Sequence, residues 1–382
     1  MGARQGSVAG EVKWEQVHLV LAALPSPAGQ DQLLMLSTLL SAFVEQNLEP
    51  GCSPHLRASA PDRLEALAAL LGRRDISPAT RLLALQALKI LARRQDIRLR
   101  CTQHVLDVLS ALLDASASSS SPSLVTEAAN AASNLAYEAV NAAGLLRAGA
   151  VPRLLGLLGA STACRDAHAN AAGALQTLSF MPEGRAALLK AGGAAAVLRL
   201  LANCTSLGDV RPASATAEGT DTGSTSSQGS SKGSGSGRSS SSAGDAVCTR
   251  LLQRLMGALH NLSSEAAGTA AIRQEGGIAL LSVALCCRHA GVAASAAGAL
   301  LNMSREEAAQ AEIRSQPGAL AALAELLSGS DMQAALCAAG ALANLCNGEG
   351  AHEALASCLG GALAGSAVFH SLGGRLAGPP AT

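Results

Sequence analysis

The chain has 382 residues with 28 acidic and 28 basic side chains, so its formal net charge is +0. A neutral chain has no overall field that attracts nucleic acid or an anionic membrane, and we expect neither as a partner. Apolar residues make up 49% of the sequence but aromatic residues only 1%. The core must therefore be built from aliphatic side chains such as Leu, Val and Ala.

Cysteine usage and the first residues indicate the compartment. The ten cysteines show no CxxC spacing, which favours free thiols over disulfides or a metal site. Glu11, Lys13 and Glu15 precede the first apolar run, so no secretory leader is indicated. We expect a cytoplasmic or nuclear protein, or one found in both compartments.

The N-terminal part predicts a helical cap. Residues 1–10 predict a disordered tail, and residues 11–61 predict the cap itself. Within the cap, residues 14–24 and 32–46 are apolar at helical spacing, and two prolines separate them. We expect a helical hairpin that covers the first full repeat.

A repeated motif organises the rest of the chain. Residues 296–304 read AAGALLNMS, and near or looser copies recur before and after them. Aligning the copies defines one equivalent residue in each, which we call the ladder positions: Ile90, Asn134, Thr177, Asn261, Asn302 and Asn344. The steps between them are 44, 43, 84, 41 and 42 residues. A fixed period of about 42 residues with Ala/Leu-rich copies predicts a stacked array of helical repeats.

A second marker supports the same period. A two-residue marker that contains glycine follows the ladder position, and its first residue lies 15 residues later in four copies and 16 in a fifth. The marker glycines are Gly149, Gly192, Gly276, Gly318 and Gly360, the fourth of which is the second residue of a Pro-Gly pair. Glycine ends a helix readily, so each marker is expected to separate a short helix from a longer Leu-rich one. Each repeat is thus predicted to contain three helices.

The doubled step of 84 residues contains an insertion rather than an extra repeat. Residues 206–244 are rich in Ser, Gly and Thr and nearly free of large apolar side chains, which predicts disorder. The predicted organisation is therefore repeats over 62–205, the insertion between the second and third helices of one repeat, repeats over 245–350, and a partial repeat or cap with a tail over 351–382.

The motif search predicts no catalytic residues, no cofactor and no metal. The eight histidines are dispersed, and neither Cys164 with His168 nor Cys286 with Cys287 has enough neighbouring ligands for a metal site. Phosphate-binding glycine motifs are absent from the sequence. A small basic cluster is interpreted as a solvated helix rim, with a docking point for an acidic partner as the alternative; it consists of Arg73, Arg74, Arg93, Arg94, Arg98 and Arg100.

The unit of short helix, glycine corner, Leu-rich helix and AAGAL-x-N-L-S helix resembles the armadillo repeat. The resemblance extends over about residues 62–350; residues 148–155, AGAVPRLL, followed by 171–175, AAGAL, are close to the family pattern. It implies an all-α fold: a right-handed α-solenoid, or superhelix, of about six armadillo repeats with helical caps.

In armadillo proteins the third helices line a concave groove, and an asparagine of this motif faces it. The resemblance implies that the equivalent residues of this chain also face the groove. These residues are Asn134, Thr177, Asn261, Asn302 and Asn344. A carboxamide can bond both the N–H and the C=O of an extended peptide. One ladder position would meet roughly three peptide residues, because helix layers recur every 8–10 Å. The alternative is a structural asparagine that satisfies a local backbone group.

Helical periodicity places further side chains near the groove. The residues that lie seven positions before a ladder position are expected to set side-chain preference: Glu127, Asn170, Arg254, Ser295 and Cys337. Those four residues after it form a predicted acidic margin that would favour basic ligands: Glu138, Glu265 and Glu306. The alternative for these glutamates is simple solvation at helix ends.

One departure from the family affects ligand choice. Nuclear-import adaptors of this family carry a tryptophan four residues before the asparagine. Here those positions are Asn130, Gly173, Gly257, Gly298 and Gly340. Classical nuclear-signal binding is therefore not expected. Glycine at these positions predicts a shallower, wider groove that admits a bulky side chain or a partner helix.

The sequence as a whole predicts a protein without enzymatic activity. We expect a monomeric scaffold or adaptor that binds a peptide or helix of a partner protein in the groove. The alternative is a regulator of a GTPase, of the exchange-factor or chaperone type, which uses the same surface. A third interpretation is an accessory subunit of a large assembly. The Ser-rich insertion is a candidate for regulatory phosphorylation.

Overall fold

A computed structural model of the chain describes residues 12–25, 27–49, 63–114, 121–160, 164–206 and 239–346. These residues form helices α1 to α19 and contain no β-strand. The predicted all-α fold is therefore confirmed over this part of the chain. The predicted tail at 1–10, the cap or tail at 351–382 and most of the insertion lie outside the described residues. None of the described helices is by itself long and apolar enough to cross a bilayer.

The chain divides into two compact units, Met1–Ala191 and Gly192–Thr382. The helices of the first unit are α1 (Trp14–Ala22), α2 (Gln30–Asn47), α3 (Arg63–Leu71), α4 (Pro78–Leu91), α5 (Gln95–Arg98), α6 (Gln103–Ala111), α7 (Pro122–Leu135), α8 (Ala139–Arg147), α9 (Ala150–Gly159), α10 (Arg165–Leu178) and α11 (Pro182–Lys190). The helices of the second unit are α12 (Gly193–Ser206), α13 (Ser239–Leu262), α14 (Ala266–Gln274), α15 (Gly277–Leu285), α16 (Ala290–Met303), α17 (Glu307–Ser315), α18 (Ala319–Leu327) and α19 (Met332–Leu345).

Each unit is built on a row of helices that carry the repeated motif, which we call the third helices. They are α4, α7 and α10 in the first unit and α13, α16 and α19 in the second. Within each unit, consecutive third helices pack directly against one another. Ala171, Ala172 and Gly173 of α10 are buried. Small side chains of this kind let neighbouring helix backbones approach closely, which explains the Ala-rich motif.

The predicted N-terminal hairpin is present as α1 and α2. Trp14 of α1 and Phe43 of α2 are buried, with their ring centroids 5.3 Å apart in an edge-to-face arrangement. Helix α2 packs against α4 as one third helix packs against the next. The hairpin therefore continues the array, with α2 in the place of a third helix.

The predicted glycine corners are confirmed at four positions. Gly149, Gly192, Gly276 and Gly318 have φ values of 71°, 72°, 70° and 75°. This left-handed conformation strains residues with a Cβ atom, so glycine is the residue that turns the chain here. The fifth predicted corner, Gly360, lies outside the described residues.

The insertion interrupts the second unit between α12 and α13. Helix α12 ends at Ser206 and α13 begins at Ser239, and residues 207–238 lie outside the described part. The two helices pack against each other, so the chain resumes the same layer after the insertion. Residues 239–244 are helical, although the sequence predicted disorder there. This segment contains no proline, and α13 extends through it before its apolar part begins.

Candidate functional site

The predicted ladder positions lie near the C-terminal ends of the third helices. In the first unit, Asn134 lies in α7 and Thr177 in α10; in the second, Asn261, Asn302 and Asn344 lie in α13, α16 and α19. The four asparagines are partly exposed, whereas Thr177 is buried. The residue directly after each asparagine is buried in the core: Leu135, Leu262, Met303 and Leu345. The second unit therefore carries partly exposed carboxamides on three consecutive third helices.

The asparagine amides in the second unit connect neighbouring third helices. Asn302 donates from Nδ2 to Ser263 Oγ at 3.2 Å and to the His260 carbonyl at 3.4 Å. Asn344 donates from Nδ2 to Ser304 Oγ at 3.0 Å. In both cases the acceptor lies on the preceding third helix or at its end, about one repeat earlier in the sequence.

The acceptor serines explain why serine follows the asparagine by two residues in the motif. Ser263 and Ser304 are buried, and each donates its hydroxyl to a carbonyl three residues earlier, at 2.7 Å and 2.8 Å. Their lone pairs remain available to accept the amide of the next repeat. Sequence analysis missed this connection, although the signal was present: the spacing N-x-S recurs with the period of the repeat.

The first unit shows what happens without the serine. Ala92 occupies the position two residues after Ile90 and has no hydroxyl. Asn134 accordingly donates only to the Lys89 carbonyl, at 3.5 Å. Thr177 bonds within its own helix, from Oγ1 to the Gly173 carbonyl at 2.9 Å. The structural alternative for the asparagines is therefore correct in part: their amide nitrogens bond to the protein, but to the previous repeat rather than to the adjoining turn.

This difference predicts unequal costs for removing the carboxamides. Replacing Asn302 with Ala should lower the free energy of unfolding by about 1 kcal/mol, because two hydrogen bonds to the previous repeat are lost. The Asn134→Ala change should cost less than about 0.5 kcal/mol, because its single bond is long. Urea unfolding followed by circular dichroism measures both values. Equal destabilisation by the two substitutions would contradict the inter-repeat role of Asn302.

The predicted acidic side chains of the first unit are paired. Glu127 forms a salt bridge with Lys89, 2.7 Å from Nζ to Oε2, and accepts a hydrogen bond from Gln86 at 3.3 Å. Glu138 pairs with Arg98 at 2.8 Å. These carboxylates are thus balanced by cations of the preceding repeat. Neither carboxylate is therefore free to attract a basic ligand.

The remaining predicted side chains fall into two environments. Asn170 is buried and donates to the Thr126 carbonyl at 3.2 Å, whereas Arg254 and Ser295 are partly exposed. Glu265 and Glu306 are partly exposed and occupy the N-cap positions of α14 and α17. A carboxylate there interacts favourably with the positive end of the helix dipole.

The predicted wide groove at the glycine positions is wrong for Gly298 and Gly340. A Cβ atom on Gly298 would lie 2.6 Å from the ring of His260, and one on Gly340 would lie 2.8 Å from a methyl group of Leu301. Side chains of the preceding third helix therefore fill the space over these glycines. Burial lowers the pKa of His260, which favours the neutral imidazole in this contact.

The basic cluster has structural partners. Arg93 donates to the carbonyls of Asn47 and Leu48 at the end of α2, both at 3.0 Å. Arg94 pairs with Asp96 at 2.9 Å, and Arg98 pairs with Glu138. These contacts support the solvated-rim interpretation over a docking point for an acidic partner.

Burial stabilises the protonated form of four described thiols. Burial raises the pKa of Cys101 to about 12 and also raises the pKa values of Cys286, Cys287 and Cys346. Thiols in this state are protonated at neutral pH and are poor nucleophiles. Among the described residues, no group of His, Cys, Asp and Glu could hold a metal ion.

Comparisons with known proteins identify the fold. No family model matches the chain, and no curated protein matches it. Among solved structures, a designed armadillo repeat protein shows 18% identity and a TM-score of 0.57 and covers 74% of this chain and 99% of its own. A designed armadillo repeat protein in complex with the peptide (KR)4 shows 19% identity and a TM-score of 0.54, with the same two coverages. An engineered protein shows 20% identity and a TM-score of 0.55 and covers 90% of this chain and 82% of its own.

The chain therefore has the armadillo-type α-solenoid fold that its repeats predicted. At these identities the comparisons establish the fold alone. The predicted number of repeats and the right-handed superhelix stay predictions.

Proposed function

We propose that the protein is a non-catalytic scaffold that binds a peptide segment of a partner protein along the third helices of its second unit. The observation that carries this proposal is the row of partly exposed carboxamides Asn261, Asn302 and Asn344 on three consecutive third helices. Such a row repeats one polar group at the spacing of the helix layers, which suits a ligand that is itself periodic.

The hydrogen bonds of the asparagines favour recognition of the peptide backbone. Within residues 239–346, the hydrogen bonds of Asn302 and Asn344 all use Nδ2. Their Oδ1 atoms are left as acceptors for a ligand, and backbone N–H groups are the donors that every peptide residue except proline supplies. The bond to the previous repeat also fixes each carboxamide before a ligand arrives, which reduces the ordering cost of binding.

The solved structures support this class of function but not its detail. One of them is a designed armadillo repeat protein in complex with the peptide (KR)4, and another is described as designed for modular peptide recognition. The basic sequence of that peptide is not part of the proposal, because Glu265 and Glu306 beside the proposed site occupy helix N-cap positions, and Glu127 and Glu138 of the first unit are paired with Lys89 and Arg98. Backbone recognition with apolar or neutral side chains fits the described surface better.

We place the protein in the cytoplasm or the nucleus, as a monomer that binds its partner there. The described cysteines are free thiols, which suits a reducing compartment. The alternative of a GTPase regulator stays a prediction, and no specific contact among the described residues favours it.

A peptide selection tests the groove. Peptides of about 12 residues, long enough for three ladder positions at about three residues each, are selected by phage display on the full chain. The best binder is then measured by fluorescence anisotropy. The variant in which Asn261, Asn302 and Asn344 are all changed to Ala should bind about tenfold or more weakly, because the acceptors of Asn302 and Asn344 and the continuity of the row are lost.

A matched control separates recognition from stability. The Ser263→Ala/Ser304→Ala variant removes the inter-repeat acceptors but keeps the carboxamides, so it should bind within about threefold of the wild type. Both variants are checked for retained helicity by circular dichroism. Unchanged affinity in the asparagine variant, or an equal loss in the serine variant, would contradict carboxamide recognition.

A further inference from the structure

One face of α2 is exposed and has an apolar centre. Helix α2 packs against α4 on one side, whereas Leu34 and Met35 on the other side are 68% and 57% exposed. They line a depression of about 360 Å³ together with Asp31, Thr38 and Leu39. The exposed Leu34 and Met35 therefore mark an interaction surface.

The polar groups on this face are already satisfied within α2. Thr38 donates from Oγ1 to the Leu34 carbonyl at 2.9 Å, and Ser41 donates from Oγ to Glu45 at 2.9 Å. Covering the face would therefore leave neither hydroxyl donor without a partner. Its desolvation should cost less than that of a surface with unpaired polar groups.

Both ends of the face carry negative charge. Asp31 and Glu45 are exposed and lie on the same side of the helix as Thr38, about four turns apart. Helix α2 contains no Lys or Arg. The face thus consists of an apolar centre between two carboxylates.

This charge pattern disfavours a second copy of the chain as the occupant. In an antiparallel pair of α2 helices centred on Thr38, Asp31 of one copy would face Glu45 of the other. In a parallel pair each carboxylate would face its own equivalent. Both arrangements bring like charges together, which is destabilising.

We propose that the exposed face of α2 binds an amphipathic helix of a partner protein with an apolar stripe and basic residues near both of its ends. The stripe covers Leu34 and Met35, and the basic residues pair with Asp31 and Glu45. The partner helix then occupies the place that a preceding third helix would take. This surface is separate from the carboxamide row, so the scaffold would bind two partners, or two segments of one partner.

Two synthetic peptides test the proposal on the full chain. Both have the length of α2, 18 residues, and the same leucines at helical spacing, but one carries Lys near both ends and the other carries Glu. Fluorescence anisotropy should show that the Lys peptide binds about tenfold tighter than the Glu peptide. The Asp31→Lys/Glu45→Lys variant should reverse this preference.

Substitutions at the apolar centre locate the binding site. The Leu34→Asp/Met35→Asp variant should lose about tenfold or more in affinity for the Lys peptide, because the stripe would meet two charges. Both residues are exposed, so the fold should be retained, and circular dichroism verifies this. The matched control is Leu336→Asp, an equally exposed leucine on α19 (61%), which should leave binding unchanged.

Four results would overturn the proposal. Two of them are equal affinity for the two peptides and unchanged binding by the Leu34→Asp/Met35→Asp variant. The third is a concentration-dependent doubling of mass in light scattering that the same variant abolishes, since a second copy would then be the occupant. The fourth is an affinity gain of about tenfold on deletion of residues 1–11, since the chain's own N-terminal segment would then cover the face.

Discussion

Replacing Gly268 with Ala should destabilise the second unit by about 3 kcal/mol, at the upper end of the cost of overpacking. Gly268 lies in α14, where its backbone packs against the end of α13. An added Cβ atom would lie 1.8 Å from the carbonyl oxygen of Leu262 and 2.7 Å from its carbonyl carbon. Both are backbone atoms, so a rotamer change cannot relieve the contact. Helix α14 would have to move away from α13.

Urea unfolding followed by circular dichroism measures this cost. The matched control is Gly159→Ala at the end of α9, where an added Cβ atom meets nothing within 4 Å. That change should be neutral or stabilise by about 0.5 kcal/mol, because alanine reduces the entropy of the unfolded chain. If Gly268→Ala and Gly159→Ala have equal effects, the close approach of α14 to the Leu262 carbonyl is not present in solution.

Gly268 also shows how far the sequence determines the packing between repeats. Four equivalent residues lie seven positions after Asn134, Thr177, Asn261 and Asn302. They are Asn141, Gly184, Gly268 and Ala309. Gly184 meets the Leu178 carbonyl as Gly268 meets Leu262. Asn141 instead donates to the Arg98 carbonyl at 2.9 Å, and Ala309 is fully buried. The period identifies equivalent positions, but the separation of the helices at each one depends on the packing of the surrounding side chains.

The fold was predictable because it depends on local and periodic signals. Apolar spacing located the helices, and glycine located the corners that have positive φ. The partners of charged and polar side chains were not predicted, because they lie about 40 residues apart in sequence. Lys89 with Glu127, Arg98 with Glu138 and Asn344 with Ser304 are examples. Each pair joins neighbouring repeats at a separation two to six residues shorter than the period of the ladder, so the period alone does not identify the partners.

The candidate site was predictable in position but not in chemistry. The ladder asparagines of the second unit are partly exposed on consecutive third helices. Their bonds to the previous repeat depend on serines that the sequence analysis treated only as part of the motif. The space over Gly298 is filled by His260, a side chain from another helix, and single-residue reasoning about glycine cannot foresee such a neighbour.

The salt bridge between Lys89 and Glu127 should contribute strongly to the stability of the first unit. The two side chains are only 10% and 17% exposed, and their charged atoms lie 2.7 Å apart. Changing Lys89 to Met should lower the free energy of unfolding by about 2 kcal/mol, because Glu127 would remain largely buried without its cation. Replacing both residues, as Lys89→Met/Glu127→Leu, should recover most of this loss, because no buried charge is left.

The exposed pair of Arg94 and Asp96 supplies the control. These side chains are 26% and 46% exposed, so Asp96→Asn should cost about 0.5 kcal/mol or less. If Lys89→Met costs no more than Asp96→Asn in urea unfolding, then Glu127 is effectively solvated. Its carboxylate would then be available to a ligand, and its predicted role in side-chain preference would stand in the first unit. A cost of about 2 kcal/mol with recovery in the double variant would instead assign Glu127 to repeat packing and leave ligand recognition to the carboxamides.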